Sequence, residues 1–214
     1  LARERTNSAH IAHELRTPLT EIIGQLEALR SHDDASRLAI SEIKTELLRF
    51  ADVIEAILVL SEPTSKTPSS TIINVADIVR DVAPTTANVD APDEALALGD
   101  ERLIRLAVQN LVQNAQRYAD GARDLRVSND DDRVRVTVSD RGPGLDLSAR
   151  ERMFERYWRG AADIEGRGIG LALVRAVAER HDGSARADQR DDGPGLAVSF
   201  TVGKIIEWRT SQES

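Results

Sequence analysis

Cysteine is absent from the chain, which excludes a disulfide scaffold, a zinc–thiolate centre and thiol catalysis, and fits a reducing compartment. Aromatic residues are scarce: two Trp, two Tyr and three Phe. No apolar run approaches the ~20 residues of a membrane span. The best short one is Ala56-Ile57-Leu58-Val59-Leu60. Basic residues are in deficit, 28 Lys and Arg against 36 Asp and Glu, and the net charge of −8 argues against a nucleic-acid binder or an anionic-membrane binder. Leu1 opens the chain with neither an initiator Met nor a signal-peptide pattern, so the expectation is a piece of a longer protein. The 214 residues suffice for one or two domains, each with its own core.

What is present divides into two patterns. Ile11, Leu15, Leu19, Ile22, Leu26 and Leu29 recur at steps of three and four, a narrow helical seam. Ser31-His32-Asp33-Asp34 interrupts it with turn and cap residues. A second seam follows in Ile40, Ile43, Leu47, Phe50, Ile54 and Ile57. Two such helices joined by a short loop predict an antiparallel hairpin, and two hairpins complete a four-helix bundle, so a homodimer is the economical reading. Glu62 to Ser70 is polar, carries Pro63 and Pro68, and reads as a linker. Beyond it, Asp100 to Tyr118 reads as a helix with Leu103, Ala107, Leu111 and Ala115 in a row. Arg133 to Val138 alternates with period two as a half-buried strand, Gly168 to Arg180 reads as a helix, and Leu196 to Val202 as a closing strand. The expectation is a helical dimerisation module tethered to a separate α/β domain.

An exposed helical histidine is ordinarily just solvated, but the position of His13 sets it apart. It lies two residues from both Ile11 and Leu15, about 200° around the helix from each, and so faces away from the seam. Glu14 is its neighbour, and Thr17 lies one turn on along the same face. An accessible imidazole is largely neutral at pH 7 and acts as a nucleophile, more so when a carboxylate takes up its proton. Pro18 removes a backbone N–H just after this site and loosens the helix.

The string His13-Glu14-Leu15-Arg16-Thr17-Pro18-Leu19 closely resembles the H-box of two-component sensor histidine kinases. The resemblance implies that His13 accepts a phosphoryl group from ATP, that Glu14 serves as acid/base, and that Thr17 orients water during dephosphorylation of the partner. His10, one turn away, lacks the Glu-Leu-Arg-Thr-Pro sequel.

A second, independent resemblance lies downstream. Asn110 to Tyr118 is similar to the N-box of the same family, with Asn110, Asn114 and Arg117 at i, i+4 and i+7 on one helical face. Two carboxamides on one face also suit a helix–helix contact. An amide oxygen is a suitable hard ligand for Mg²⁺, and Arg117 suits phosphate oxygens. By resemblance Asn114 is the Mg²⁺ ligand, Asn110 a neighbouring contact, and Tyr118 part of the ATP pocket. The usual Lys of this box is Arg117 here, which keeps the charge and alters its geometry.

Asp140-Arg141-Gly142-Pro143-Gly144 follows the alternating strand, and its parity places Asp140 on the buried face with Val134, Val136 and Val138. A buried carboxylate needs a partner. The string resembles the G1 box, which implies the exocyclic amine of adenine as that partner, with Gly142 and Gly144 beside it. Met153-Phe154-Glu155-Arg156-Tyr157-Trp158-Arg159 resembles the F-box. Phe154 there is either a pocket residue or the anchor of a small hydrophobic cluster, and Arg159 is the phosphate-facing group by family position. Gly166-Arg167-Gly168-Ile169-Gly170-Leu171 opens a helix, where glycines let backbone N–H groups approach phosphates. No strand leads into it and no P-loop Lys-Ser/Thr follows, and it resembles the G2 box.

The resemblance implies an α+β protein: a helical hairpin dimerising into a four-helix bundle over residues 1–62, a linker at 63–70, a two-layer α/β sandwich of GHKL/Bergerat type over 71–203, and a tail at 204–214. The implied activity is ATP-dependent autophosphorylation of His13 with Mg²⁺ as cofactor, then transfer to an Asp of a response regulator. Gly144 to Gly166 is the expected ATP lid, with Arg150, Arg152, Arg156 and Arg159 among its charges. The implied location is cytoplasmic, with any membrane anchor in segments absent from this chain. Two rivals are a catalytically silent dimeric nucleotide-binding adaptor and a gyrase-type ATPase, which lacks a phosphoacceptor hairpin.

Overall fold

The computed structural model describes residue 22 and residues 34–61, 71–119, 121–130, 132–158, 168–190 and 192–203. His13, Glu14, Thr17, Arg159 and Gly166 lie outside the described residues, as do the expected linker and tail. The chain divides into two compact units, Leu1–Pro63 and Thr64–Ser214.

In the first unit, α1 (Asp34–Ser61) runs for 28 residues and carries the second seam. Ile54 is buried, while Ile43 and Phe50 remain 51% and 44% exposed. Burial thus increases toward the C-terminal end of the helix, where Ala56, Leu58 and Val59 join Ile54. Among the described residues, no helix is long and apolar enough to cross a membrane.

The second unit runs β1 (Thr71–Asn74), α2 (Val75–Val82), β2 (Asn88–Asp90), β3 (Leu96–Gly99), α3 (Glu101–Tyr118), β4 (Asp124–Asp130), β5 (Arg133–Ser139), α4 (Leu147–Arg152), α5 (Gly170–Arg180), β6 (Ala185–Gln189) and β7 (Leu196–Gly203). The five-stranded sheet has the order β2-β4-β5-β7-β6, and β1 and β3 form a separate antiparallel pair. Only the β2–β4 edge is parallel.

Alternation dictates which sheet face is covered. Val134, Val136 and Val138 are buried. Their register partners form apolar rows across three strands, Leu125–Val138–Val198 and Val127–Val136–Phe200. The helices close this face with Val75 and Val79 from α2, Ile104, Val108 and Leu111 from α3, and Leu173, Val174 and Val177 from α5, all essentially solvent-free. Each such side chain contributes roughly 1.5–3 kcal/mol by leaving water. The result is a mixed α+β chain, with a helical region followed by an α/β sandwich.

Local chemistry sets the helix starts. Asp100 caps α3 by accepting from the Leu103 N–H at 3.2 Å. Asn74 caps α2, and its Oδ1 also accepts from Ala95 N–H at 2.9 Å, which ties β1 to the chain entering β3. The helix expected from Gly168 begins at Gly170, because Gly168 has φ +63° and cannot continue a right-handed turn.

Candidate functional site

Four segments far apart in sequence meet around α3. The Asn110 carboxamide donates through Nδ2 to Leu106 O at 2.9 Å, which orients the amide and leaves Oδ1 as an acceptor. That oxygen lies against Gly170: a Cβ added there would sit 2.6 Å from Asn110 Oδ1. The middle of α3 therefore touches the first residue of α5. At its other end, a Cβ on Gly142 would lie 3.1 Å from both Tyr118 O and Ala119 Cβ. Gly168 closes the circuit, its Cα packed on the main chain of Tyr157 and Trp158, with Tyr157 N–H donating to Gly168 O at 2.7 Å. The expected N-box, G1, G2 and F-box residues are neighbours.

Asp140 is buried on the same face as Val138. Its Oδ1 accepts from Gly142 N–H at 2.8 Å and Leu196 N–H at 3.2 Å. Asp140 N–H donates to Leu196 O at 2.9 Å, and its carbonyl accepts from Arg190 Nη1 at 3.1 Å. Gly195, with φ +121°, packs directly on that carbonyl, where a Cβ would overlap it. One carboxylate oxygen is thus held by two amides, and Oδ2 makes no hydrogen bond among the described residues. A buried carboxylate with one committed and one uncommitted oxygen suits an external donor such as an exocyclic amine.

The Asn114 residue is half-buried and its side chain makes no hydrogen bond among the described residues, whereas the Asn110 side chain is committed to its own helix. Arg117 is exposed in the last turn of α3, where its charge also complements the helix dipole. The described residues hold no group of three or more His, Cys, Asp or Glu side chains able to bind a metal. An unpartnered amide oxygen fits Mg²⁺, an ion that takes few protein ligands and keeps phosphate and water oxygens. The N-terminus of α5 fits the phosphates. Side chains cap α2, α3 and α4, but no side chain caps α5 at Ile169. Its first N–H groups are available to an anion. Leu171, in the first turn, is half-buried beside them.

Phe154 is buried with Met153 at the end of α4, so it anchors the segment as a hydrophobic cluster, while Tyr157 is 72% exposed. The first part of the expected lid is thus a short helix, capped by Asp146 and held by two buried side chains.

Sequence reasoning missed His181. Its Nε2 accepts from the Asp100 N–H at 3.0 Å, and a backbone N–H can only donate, so the proton sits on Nδ1, which donates to Val177 O at 2.7 Å. Gly99 leaves room for the ring: a Cβ there would be 2.7 Å from His181 Cδ2. His181 therefore ties the end of α5 to the start of α3. Burial pushes its pKa below the ordinary value, outweighing the opposing effect of the Val177 hydrogen bond. A folded pKa below the unfolded value near ~6.5 gives stability that is complete above ~6.5 and is lost as pH falls through the folded value. Between pH 7.5 and 5.0 the melting temperature of the wild type is therefore expected to fall further than that of His181→Gln, as read by thermal denaturation at both pH values. At pH 7.5, His181→Ala is expected to be destabilised by about 2–4 kcal/mol, through two lost hydrogen bonds and a cavity.

With this geometry in hand, comparison with known proteins places the chain. Residues 99–205 match the family described as histidine kinase-, DNA gyrase B- and HSP90-like ATPase, and residues 4–66 match the His Kinase A (phospho-acceptor) domain. The chain belongs to the histidine kinase family: it is a histidine kinase catalytic core, a phosphoacceptor domain followed by an ATP-binding domain. It is 32% identical to the sensor-like histidine kinase SenX3 of Mycobacterium tuberculosis over 94% of this chain and 53% of that protein. The chain thus spans about half the length of the curated relatives it matches. Among solved structures, full-length ShkA in complex with AMPPNP superposes with a TM-score of 0.67 at 23% identity, covering 92% of this chain and 45% of that one. The mycobacterial sensor histidine kinase MprB gives a TM-score of 0.54 at 23% identity, over 63% and 98%. These two likenesses concern the fold.

Proposed function

We propose that this chain binds Mg·ATP in its second unit, autophosphorylates His13, and passes the phosphoryl group to an Asp of a response regulator. An imidazole nitrogen of His13 attacks the γ-phosphorus, the bond to the β-phosphate oxygen breaks, and ADP leaves. Glu14 takes the imidazole proton. In the second step the regulator carboxylate displaces His13 from phosphorus. In the reverse direction, the Thr17 hydroxyl orients the water that attacks the phosphorylated regulator. Catalysis at the nucleotide rests on positioning and charge neutralisation.

The observation that carries this reading is the pair of contacts that α3 makes, Asn110 with Gly170 and Tyr118 with Gly142, together with the partly committed Asp140 carboxylate bonded to the Gly142 N–H. Asp140 accepts the adenine amine, with Gly142 and Gly144 shaping that wall. Asn114 holds Mg²⁺ with Asn110 beside it, and the ion, when bound, neutralises phosphate charge. Arg117 and Arg159 face phosphate oxygens, and Gly166, Gly168, Gly170 and Leu171 present backbone N–H groups to them. Phe154 holds the base of the lid. The match of residues 4–66 to the phospho-acceptor domain and the exposure of Ile43 on α1 support a homodimer through residues 1–62, with 63–70 as linker, 71–203 as the catalytic domain and 204–214 as a tail. The chain acts on the cytoplasmic side of a longer, membrane-anchored protein.

The test is incubation with γ-labelled ATP followed by mapping of the label. Hydrolysis without labelling would favour a plain ATPase, and neither would favour an adaptor. Asp140→Ala is expected to lose preference for ATP over GTP by at least about tenfold, the worth of one hydrogen bond to a charged acceptor. Competitive binding of the two nucleotides measures it, and an unchanged ratio removes Asp140 from base recognition.

A further inference from the structure

Arg190 follows β6 directly, fifty residues after Asp140, yet its side chain is only 8% exposed. Its Nε and Nη2 donate to the two oxygens of Asp192 at 2.8 and 2.6 Å, a forked pairing that fixes the plane of the guanidinium. That leaves Nη1 directed at Asp140 O, 3.1 Å away, with Asp124 Oδ2 at 3.5 Å beside it. The Arg190 N–H also donates to Gly195 O at 3.3 Å, so the turn that packs Gly195 on the Asp140 carbonyl is closed by the same residue.

The Asp140 peptide is consequently held from both sides, through its N–H by Leu196 O and through its carbonyl by Arg190. Neither bond involves the carboxylate, but both set the main-chain position from which the carboxylate projects. Burying a guanidinium requires satisfied partners, and Arg190 Nη1 divides between the Asp140 carbonyl at 3.1 Å and the more distant Asp124 Oδ2 at 3.5 Å. A lysine at 190 lacks the fork that orients this donor.

We propose that Arg190, gripped by Asp192, is a positioning residue that sets nucleotide-base selectivity by holding the Asp140 main chain. The proposal rests on the reading of Asp140 as the base acceptor. Asp192 is itself held below the usual carboxylate range by its hydrogen bonds to Arg190, so the pair stays ionised at neutral pH. The effect belongs to selectivity, because a loosened Asp140 weakens contacts to the base and leaves those to phosphates and metal in place.

The experiment measures ATP and GTP affinity in the intact chain. Arg190→Met is expected to weaken ATP by about tenfold and GTP by less than about twofold, so that the ATP:GTP ratio falls at least about fivefold. Arg190→Lys is expected to recover part of the ratio, and Asp192→Asn to lower it by a smaller factor. An unchanged ratio in Arg190→Met overturns the proposal, as does an equal loss for both nucleotides. Should Arg190→Met fail to fold, the ratio in Asp192→Asn decides in the same way. Asp140→Ala separates the two levels: if it keeps the wild-type ratio, the reading of the site has failed. If it loses the ratio while the Arg190 and Asp192 variants keep it, only the role of Arg190 has failed.

Discussion

Exchanging His13 for glutamine is expected to leave Mg·ATP binding at wild-type strength and to remove all acid-labile phosphate from the chain. Glutamine retains much of the size and polarity of the imidazole but has no nitrogen lone pair able to take a phosphoryl group at neutral pH. Removing a nucleophile ordinarily lowers turnover by about a thousandfold or more, which in a labelling assay reads as none. The nucleotide-binding residues belong to the second compact unit, so their affinity for Mg·ATP should not depend on His13. Mapping of labelled peptides, with ATP affinity measured in parallel, makes the test. Label retained on the chain, or found on His10, would assign the acceptor elsewhere.

A second large effect is expected at Asn114. Asn114→Ala should weaken Mg·ATP by about ten- to a hundredfold, abolish autophosphorylation, and leave the dimer and the fold of α3 intact. Alanine has the higher helix propensity, and Asn114 makes no hydrogen bond among the described residues that the change would break. The loss should therefore concern the ion. Affinity for ATP measured with Mg²⁺ and then with chelator should differ in the wild type and converge in the variant. Full metal-dependent binding in the variant would end the role given to Asn114.

Where periodicity is local, the chain was readable. The periodicity predicts a helix over Asp100 to Tyr118, and α3 occupies Glu101–Tyr118 with Asp100 as cap. The alternation from Arg133 predicts both β5 and the buried side of Asp140. What stayed hidden lacks a local signal. The β4 strand has only Leu125 and Val127 as apolar residues, and β6, Ala-Arg-Ala-Asp-Gln, has no β-branched residue, so both depend on pairing with better strands. The short β1, β2 and β3 have three or four residues each, too few to show a period. The candidate site was legible wherever it follows a family string. Its supports were not: His181 meets Asp100 across 81 residues and Arg190 meets Asp140 across 50, separations that no spacing rule reports.

The hold on Asp140 by Arg190, Gly195 and Leu196 bears on the order in which the protein is made. A nascent chain synthesised only as far as Leu171 carries every recognisable nucleotide motif, yet the groups that fix the Asp140 main chain have not yet been added. About 25 further residues separate Leu171 from Leu196, roughly 1–5 s of elongation at about 5–20 residues per second. During that interval Asp140 lacks its anchors and β5 lacks its β7 partner. If Asp140 is the base acceptor as proposed, capture of ATP is expected to be a late event in biogenesis, and a premature stop after the last glycine motif is expected to silence the site while leaving its signature strings complete.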